Sequence, residues 1–177
     1  VEEMAASAIK KFGRIDVLIH NAAIRPGAPF LEMSDTDFDQ VMRVNTYAAV
    51  WLSRAALPGM IEAGWGRIIN FTGMNAQRGS GGRPHVTMSK HAVVGLTKAL
   101  AREFGPKGVT SNVISPGTFP GEGDNAAHGS LDKLLADVPV GRLGESDDIS
   151  ALVAYLCGPH GGFVNGQLLQ VNGGVEM

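Results

Sequence analysis

The sequence predicts a doubly wound α/β domain built on a parallel sheet. Short apolar runs with β-branched residues recur along the chain, segments of helical period separate them, and each run ends in small or polar residues. Met4, Ala5, Ala8, Ile9 and Phe12 recur at helical spacing, and Gly13 stands where a helix C-terminal glycine would. Ile15 to Ile19 is a short apolar run, read as a buried strand that stops in His20-Asn21-Ala22-Ala23. Ser34 followed by Asp37 resembles a capping box, with Asp in place of Glu or Gln, and opens a long helix. Phe38, Val41, Met42, Trp51 and Leu52 supply its apolar face. Pro58 is expected to kink this helix or end its regular part, and Gly64 to close it.

Arg67 to Thr72 reads as a second buried strand, followed by a Gly-rich loop from Gly79 to Gly82 and a helix from about Val86 to Phe104. Gly105-Pro106 stops that helix, and Val109 to Ile114 gives a third strand, broken by Ser115-Pro116-Gly117. Ser146 is expected to cap a helix reaching Cys157, and Gln167 to Val171 forms a last strand. Such alternation implies right-handed crossovers and a sheet covered on both faces. Ligands of such sheets bind outside the carboxyl ends of the strands. Chemistry is therefore expected at Asn21 to Ala23, Thr72 to Met74 and Pro116 to Phe119.

Composition narrows the function classes. A chain of 177 residues fits one domain, and 44% hydrophobic with 18% charged residues argues for a packed core over disorder. The formal net charge is -2 and there is no basic block, so a nucleic-acid surface is not expected. No apolar run reaches the roughly 18–20 residues of a membrane span. Cys157 is the only cysteine, which excludes an internal disulfide and a cysteine metal site, and a reducing, cytoplasmic setting is expected. No His, Asp or Glu pair has metal-ligand spacing on a well-marked element, so no metal is expected. The chain opens abruptly in an amphipathic segment, so the native start is expected to lie upstream.

The strand-end pieces share a pattern. Asp16-Val17-Leu18-Ile19-His20-Asn21-Ala22-Ala23, Val44-Asn45 and Gly66-Arg67-Ile68-Ile69-Asn70 come first. Ser89-Lys90, Asn112-Val113-Ile114-Ser115-Pro116-Gly117, Gly141-Arg142-Leu143-Gly144 and Val171-Asn172-Gly173-Gly174 follow in order. Each piece alone is weak; together and in register over nearly the whole chain, they resemble the short-chain dehydrogenase/reductase family. The resemblance implies a Rossmann-like sheet, with residues 1–177 as the later portion of a single domain, and NAD or NADP as cofactor. In that family the first strands carry a Gly-rich turn onto a helix N-terminus that holds the pyrophosphate. No such segment precedes Ile15, and Gly79-Ser80-Gly81-Gly82 has neither the spacing nor the place to substitute. About two or three strand–helix units are thus expected ahead of this chain. Without them Ile15 to Ile19 would be a bare edge strand.

Family members usually move hydride between a nicotinamide and a carbonyl or alcohol carbon. A tyrosine four residues before a lysine handles the proton, a serine thirteen residues before the tyrosine orients the oxygen, and an asparagine in the preceding helix supports a water relay. Carried over by position, the lysine is Lys90 and the asparagine Asn45, while the tyrosine position holds Val86 and the serine position Gly73. Valine and glycine bring no exchangeable side-chain proton, so acid–base help worth roughly 10²–10⁴ in rate is missing. Two neighbours are candidate substitutes. His85 titrates in the right range but precedes Val86 by one residue, about 100° around a helix, and a solvated loop position is its default. Thr72 precedes the serine position by one residue and reaches the cofactor only if the strand has ended there.

Lys90 is expected to bind the nicotinamide ribose. A mid-helix asparagine such as Asn45 can alternatively bond backbone at a kink. Asn21, Ala22 and Ala23 would line the adenosine side, and Pro116, Gly117 and Phe119 the nicotinamide side. Phe119 stands where a branched aliphatic is common, and Gly121 where a threonine is. The stretch from Glu122 to Asp137, with Asp124, Asn125, His128 and Asp132, would cover an unknown small-molecule substrate. Three readings are open: an oxidoreductase with rerouted chemistry, a non-catalytic dinucleotide-binding homologue or partner subunit, and a structural subunit that binds no cofactor. The helices from Ser34 and Val86 resemble a family dimer interface. The helix after Ser146, with Gln167 to Val171, resembles a second one, so a homodimer or homotetramer is expected.

Overall fold

The computed structural model of the protein describes residues 1–120 and 135–177. The expected features at Gly121, Asp124, Asn125, His128 and Asp132 lie outside the described residues. Among those residues four strands form one parallel sheet, in the order β1 (Val17–His20), β2 (Gly66–Phe71), β3 (Val109–Pro116) and β4 (Leu168–Val171). The helices are α1 (Glu2–Phe12), α2 (Asp35–Met42), α3 (Ala48–Glu62), α4 (Met74–Arg78), α5 (Pro84–Phe104) and α6 (Ser146–Cys157). A π-helical turn, Arg43–Tyr47, joins α2 to α3.

Local chemistry accounts for most boundaries. Glu2 and Glu3 open α1 and Lys10 and Lys11 close it, matching the helix dipole, and Gly13 takes φ +87° to turn the chain out. At α2 the Ser34 hydroxyl accepts the Asp37 N–H at 3.1 Å and donates to the Asp37 carboxylate at 2.7 Å. The cap of α6 differs from expectation. Glu145 is the N-cap, reciprocated by Asp148, and Ser146 is already the first helical residue. The Arg142 guanidinium grips the same Asp148 carboxylate with two bonds of 2.7 Å, and with the backbone N–H of Glu145 it holds that carboxyl well below its ordinary range.

Two breaks expected at prolines do not occur. Helix α3 runs through Pro58, because Leu52, Ala56, Leu57 and Met60 anchor it to the core; the irregularity falls at Arg43–Tyr47 instead. Strand β3 continues through Pro116, which pairs with Val171. The β2 partner ends opposite Ile114, so the N–H that proline lacks has no β2 carbonyl to meet.

The sheet has two unlike faces. Leu18, Ile68 and Val109 pack on one side against α3 and α5, joined by Ala5 of α1. Ile69 and Ile114 face the other way and pack against Leu156, Ile149, Leu152 and Val153 of α6. The strands step across the sheet in one direction, yet α3 and α5 lie on one face and α6 on the other. The β3–β4 crossover therefore has the opposite hand to the two before it, which corrects the expectation of uniform right-handed connections. Uniform handedness with this strand order would leave the α6 face bare. Strand β1 is at the sheet edge, and its Val17 and Ile19 side chains, on the α6 side, stay 36% and 45% exposed. Among the described residues no helix is long and apolar enough to cross a membrane. No group of three or more His, Cys, Asp or Glu among them is placed to hold a metal ion.

Candidate active site

A cleft of about 1100 Å³ opens at the carboxyl ends of β1, β2 and β3. Its walls come from the turns that follow these strands, from α4, from the start of α5 and from α6. Gly73, Val86 and Lys90 all line it, so the positions singled out by spacing converge on one place. Asn21, Thr72, Pro116, Gly117 and Phe119 line it too, whereas Ala22 and Ala23 are exposed beside Asn21 without lining it.

Lys90 is held from below. Its side chain is 6% exposed, and its ammonium donates to the Phe71 carbonyl at 2.9 Å, the last residue of β2. Burial, reinforced by the nearby Arg25 guanidinium, pulls Lys90 down to about 8. One N–H is committed to Phe71, leaving two for a ligand.

Behind Lys90 lies a buried polar brace. Asn45, fully buried in the π-helical turn, accepts the Ile24 N–H at 2.9 Å and donates to the Ile24 carbonyl at 3.0 Å. Its amide also donates to the Ser89 hydroxyl at 3.0 Å, which in turn donates to the Val86 carbonyl at 2.8 Å. Thr46 adds a bond to the Ser89 carbonyl. Asn45 does not line the cleft; its polar atoms tie the turn after β1 to the helix that presents Val86 and Lys90. This is the backbone-bonding role open to an asparagine at a kink.

The cleft wall at positions 73 and 86 is chemically bare. Val86 is 9% exposed and presents only methyl groups, and Gly73 follows β2 in extended backbone with no atom within 4 Å of where a Cβ would stand. The chain's two tyrosines lie elsewhere: Tyr47 in the π-helical turn and Tyr155 on α6, neither lining the cleft. Of the candidate substitutes, Thr72 lines the cleft; its backbone N–H still pairs with Ile114, and its buried hydroxyl has no hydrogen-bond partner among the described residues. His85 is not a solvated loop residue. It lies in the first turn of α5, 1% exposed and away from the cleft lining, because the helix begins at Pro84, earlier than expected. Pro84 fixes the backbone for a helical start, and that turns His85 inward.

Residues not singled out from the sequence complete the surroundings. Arg25, Arg78 and Arg83 line the cleft. His20, 3% exposed at the end of β1, is held below its ordinary pKa by burial and then by the Lys90 charge. A cation two residues after Ala23, just past the Asn21–Ala23 turn, was the available signal for Arg25.

Comparison with known proteins matches this arrangement. Residues 1–176 fit the family model described as enoyl-(acyl carrier protein) reductase. The chain is 37% identical to acetoacetyl-CoA reductase of Cupriavidus necator over 166 residues, 93% of this chain and 68% of that protein. It belongs to the short-chain dehydrogenase/reductase family. A second relative, 3-oxoacyl-(acyl-carrier-protein) reductase FabG of Vibrio cholerae, is 33% identical over 178 residues, covering 100% of this chain and 73% of its own length. A crystal structure of a candidate NAD(P)-dependent gluconate 5-dehydrogenase from Beutenbergia cavernae, with NADP bound, superposes with a TM-score of 0.90. It is 33% identical and covers 98% of this chain and 71% of its own. Gly73 and Val86, the positions at which the family resemblance leads one to expect a serine and a tyrosine, both line the cleft.

Proposed function

We propose that this protein is an NAD(P)-linked oxidoreductase homologue whose cleft binds a nicotinamide dinucleotide and carries out altered or weakened carbonyl/alcohol chemistry. The observation that carries this reading is the convergence of Lys90, Gly73 and Val86 on one cleft. The residues present fit the nicotinamide half of the cofactor. A buried lysine keeps two N–H donors, the neighbouring Thr72 hydroxyl lacks a protein partner, and Pro116, Gly117 and Phe119 form the opposite wall. Lys90 would hold the ribose hydroxyls, Asn21 the adenosine side, and the backbone of Pro116 to Phe119 the carboxamide. When bound, the dinucleotide supplies the hydride donor or acceptor.

The chain's own residues then do less than those of its relatives. The methyl surface of Val86 excludes water from one side of the substrate oxygen, and neither Val86 nor Gly73 delivers a proton. Thr72 can orient that oxygen but is no proton source, because an alkyl hydroxyl does not ionise near neutral pH. Lys90, the ionisable group of the cleft held at about 8, is the source best matched to neutral pH. Its ammonium is tied to Phe71, so transfer to the substrate passes through water. His85 takes no part.

A second reading, a dinucleotide-binding partner subunit without turnover, is favoured by the same loss at positions 73 and 86. We infer a homodimer or homotetramer in either case; Tyr47 and Met88, both over 40% exposed on the α3 and α5 side, support it. Fluorescence titration with NADPH and with NADH tests binding, and a screen of ketones and alcohols read by nicotinamide absorbance tests turnover. Binding with slow turnover supports the first reading, binding without turnover the second, and no binding overturns both.

A further inference from the structure

We propose that the cleft takes a ketone or alcohol substrate bearing an oxyanion group, a carboxylate or phosphate, clasped by Arg25 with Arg83 at the same opening. The inference rests on reading the cleft as a carbonyl/alcohol site, and it deepens that reading by naming the charge of the substrate.

Among the described residues, the basic groups lining the cleft are Arg25, Arg78, Arg83 and Lys90, and Asp137 is the acidic one. Arg78 is engaged at the chain's end, bonding the Val175 carbonyl and lying 3.5 Å from the Glu176 carboxylate. Arg25 differs. It is exposed, and among the described residues it has no ion pair. It also lies close enough to Lys90 for the two charges to repel. Two cations facing a partly desolvated cleft raise each other's energy, and a bound anion relieves that cost. The turn carrying Arg25 is fixed from both sides: the Asn45 amide holds Ile24, and the Ala28 N–H bonds the Gly82 carbonyl at 2.7 Å. That second bond brings the Arg25 turn against the segment that carries Arg83, so both guanidiniums border one opening. A guanidinium fork matches either oxyanion in two-bond geometry.

The cofactor's own phosphates are the competing source of negative charge. In folds of this kind they sit at a Gly-rich turn and a helix N-terminus, whereas Arg25 lies beside Lys90 and the Val86–Gly73 reaction end. A substrate group is the better match.

Titration calorimetry on the full-length protein tests this with two matched pairs: acetoacetate against methyl acetoacetate, and dihydroxyacetone phosphate against dihydroxyacetone. Each pair is measured with and without NADPH, whose own affinity is read by fluorescence. The expected result is that one charged member binds at least about tenfold more tightly than its neutral partner. Which pair responds tells carboxylate from phosphate. Arg25→Gln is expected to abolish the preference, and Arg83→Gln to reduce it, with NADPH affinity within about twofold of wild type. Equal or undetectable binding of charged and neutral members in both pairs overturns the proposal. So does a preference that survives both substitutions, or an Arg25→Gln variant that loses NADPH and charged ligand alike. If NADPH fails to bind while the charge preference persists, the dinucleotide reading falls and the oxyanion site stands.

Discussion

One helical turn of α5 separates two regions with opposite characters. At Lys90 a chain of polar groups behind the cleft is engaged: the ammonium with Phe71, Ser89 with Val86 and Asn45, and Asn45 with the turn after β1. At Val86 and Gly73 there is a methyl surface and open space. Under the proposed function, the contrast means that holding a ligand and moving a proton are separable in this fold. The brace that positions Lys90 depends on backbone carbonyls and buried amides, and it does not need the side chains at 73 and 86.

Restoring the bare region is expected to have the largest effect. Gly73→Ser and Val86→Tyr together should raise carbonyl turnover by roughly 10²–10⁴, with either substitution alone giving much less, since the hydroxyl and phenol act on one oxygen. Gly73 is in extended backbone, with no atom within 4 Å of a new Cβ, so the serine brings no strain. Steady-state nicotinamide absorbance over a ketone panel reads the outcome, and no gain in the double variant would break the comparison from its bare side.

Lys90→Met attacks the other side. It should cost at least about tenfold in NADPH affinity by fluorescence titration. It should also change the pH dependence of stability in a defined sense. A lysine of ordinary pKa 10.5 that is held at about 8 when folded binds fewer protons folded than unfolded between those values. Its burial cost is therefore fully present below pH 8 and is relieved as pH rises to 10.5, worth about 3 kcal/mol at most. Urea unfolding should show the wild type gaining stability across that window, while Lys90→Met loses that part of the rise and is the more stable protein at pH 7.

Asn45→Ala tests whether the brace is structural. It strips the Ile24 backbone of two buried bonds, and a loss of about 2 kcal/mol in urea unfolding is expected. Ser34→Ala, far from the cleft, should cost about 1 kcal/mol through the lost cap and leave NADPH affinity unchanged. A larger effect of Ser34→Ala on binding than of Asn45→Ala would mean that the brace does not govern the cleft.

Much of this was legible in the sequence because single residues carry local instructions. Ser34 and Asp37 set a cap, Gly13 sets a positive φ, and the residues after each strand mark the cleft. What was not legible depends on packing between distant segments. Core contacts let Pro58 stay helical, the end of β2 makes Pro116 acceptable in β3, and one extra residue pair at the start of α5 turns His85 inward. The reversed hand of the last crossover follows from which face still needs cover, a property of the whole sheet. The meeting of Arg25 with Arg83 was not legible for a related reason: they are far apart in sequence, and only the Ala28–Gly82 bond brings their segments together.

The most direct test is a crystal structure of the protein with NADP and a bound ketone. The account predicts the ketone oxygen beside Gly73 and Val86, within reach of the Thr72 hydroxyl or of water held by Lys90. A phenol or imidazole of this chain, from Tyr47, Tyr155 or His85, found bonded to that oxygen would contradict it.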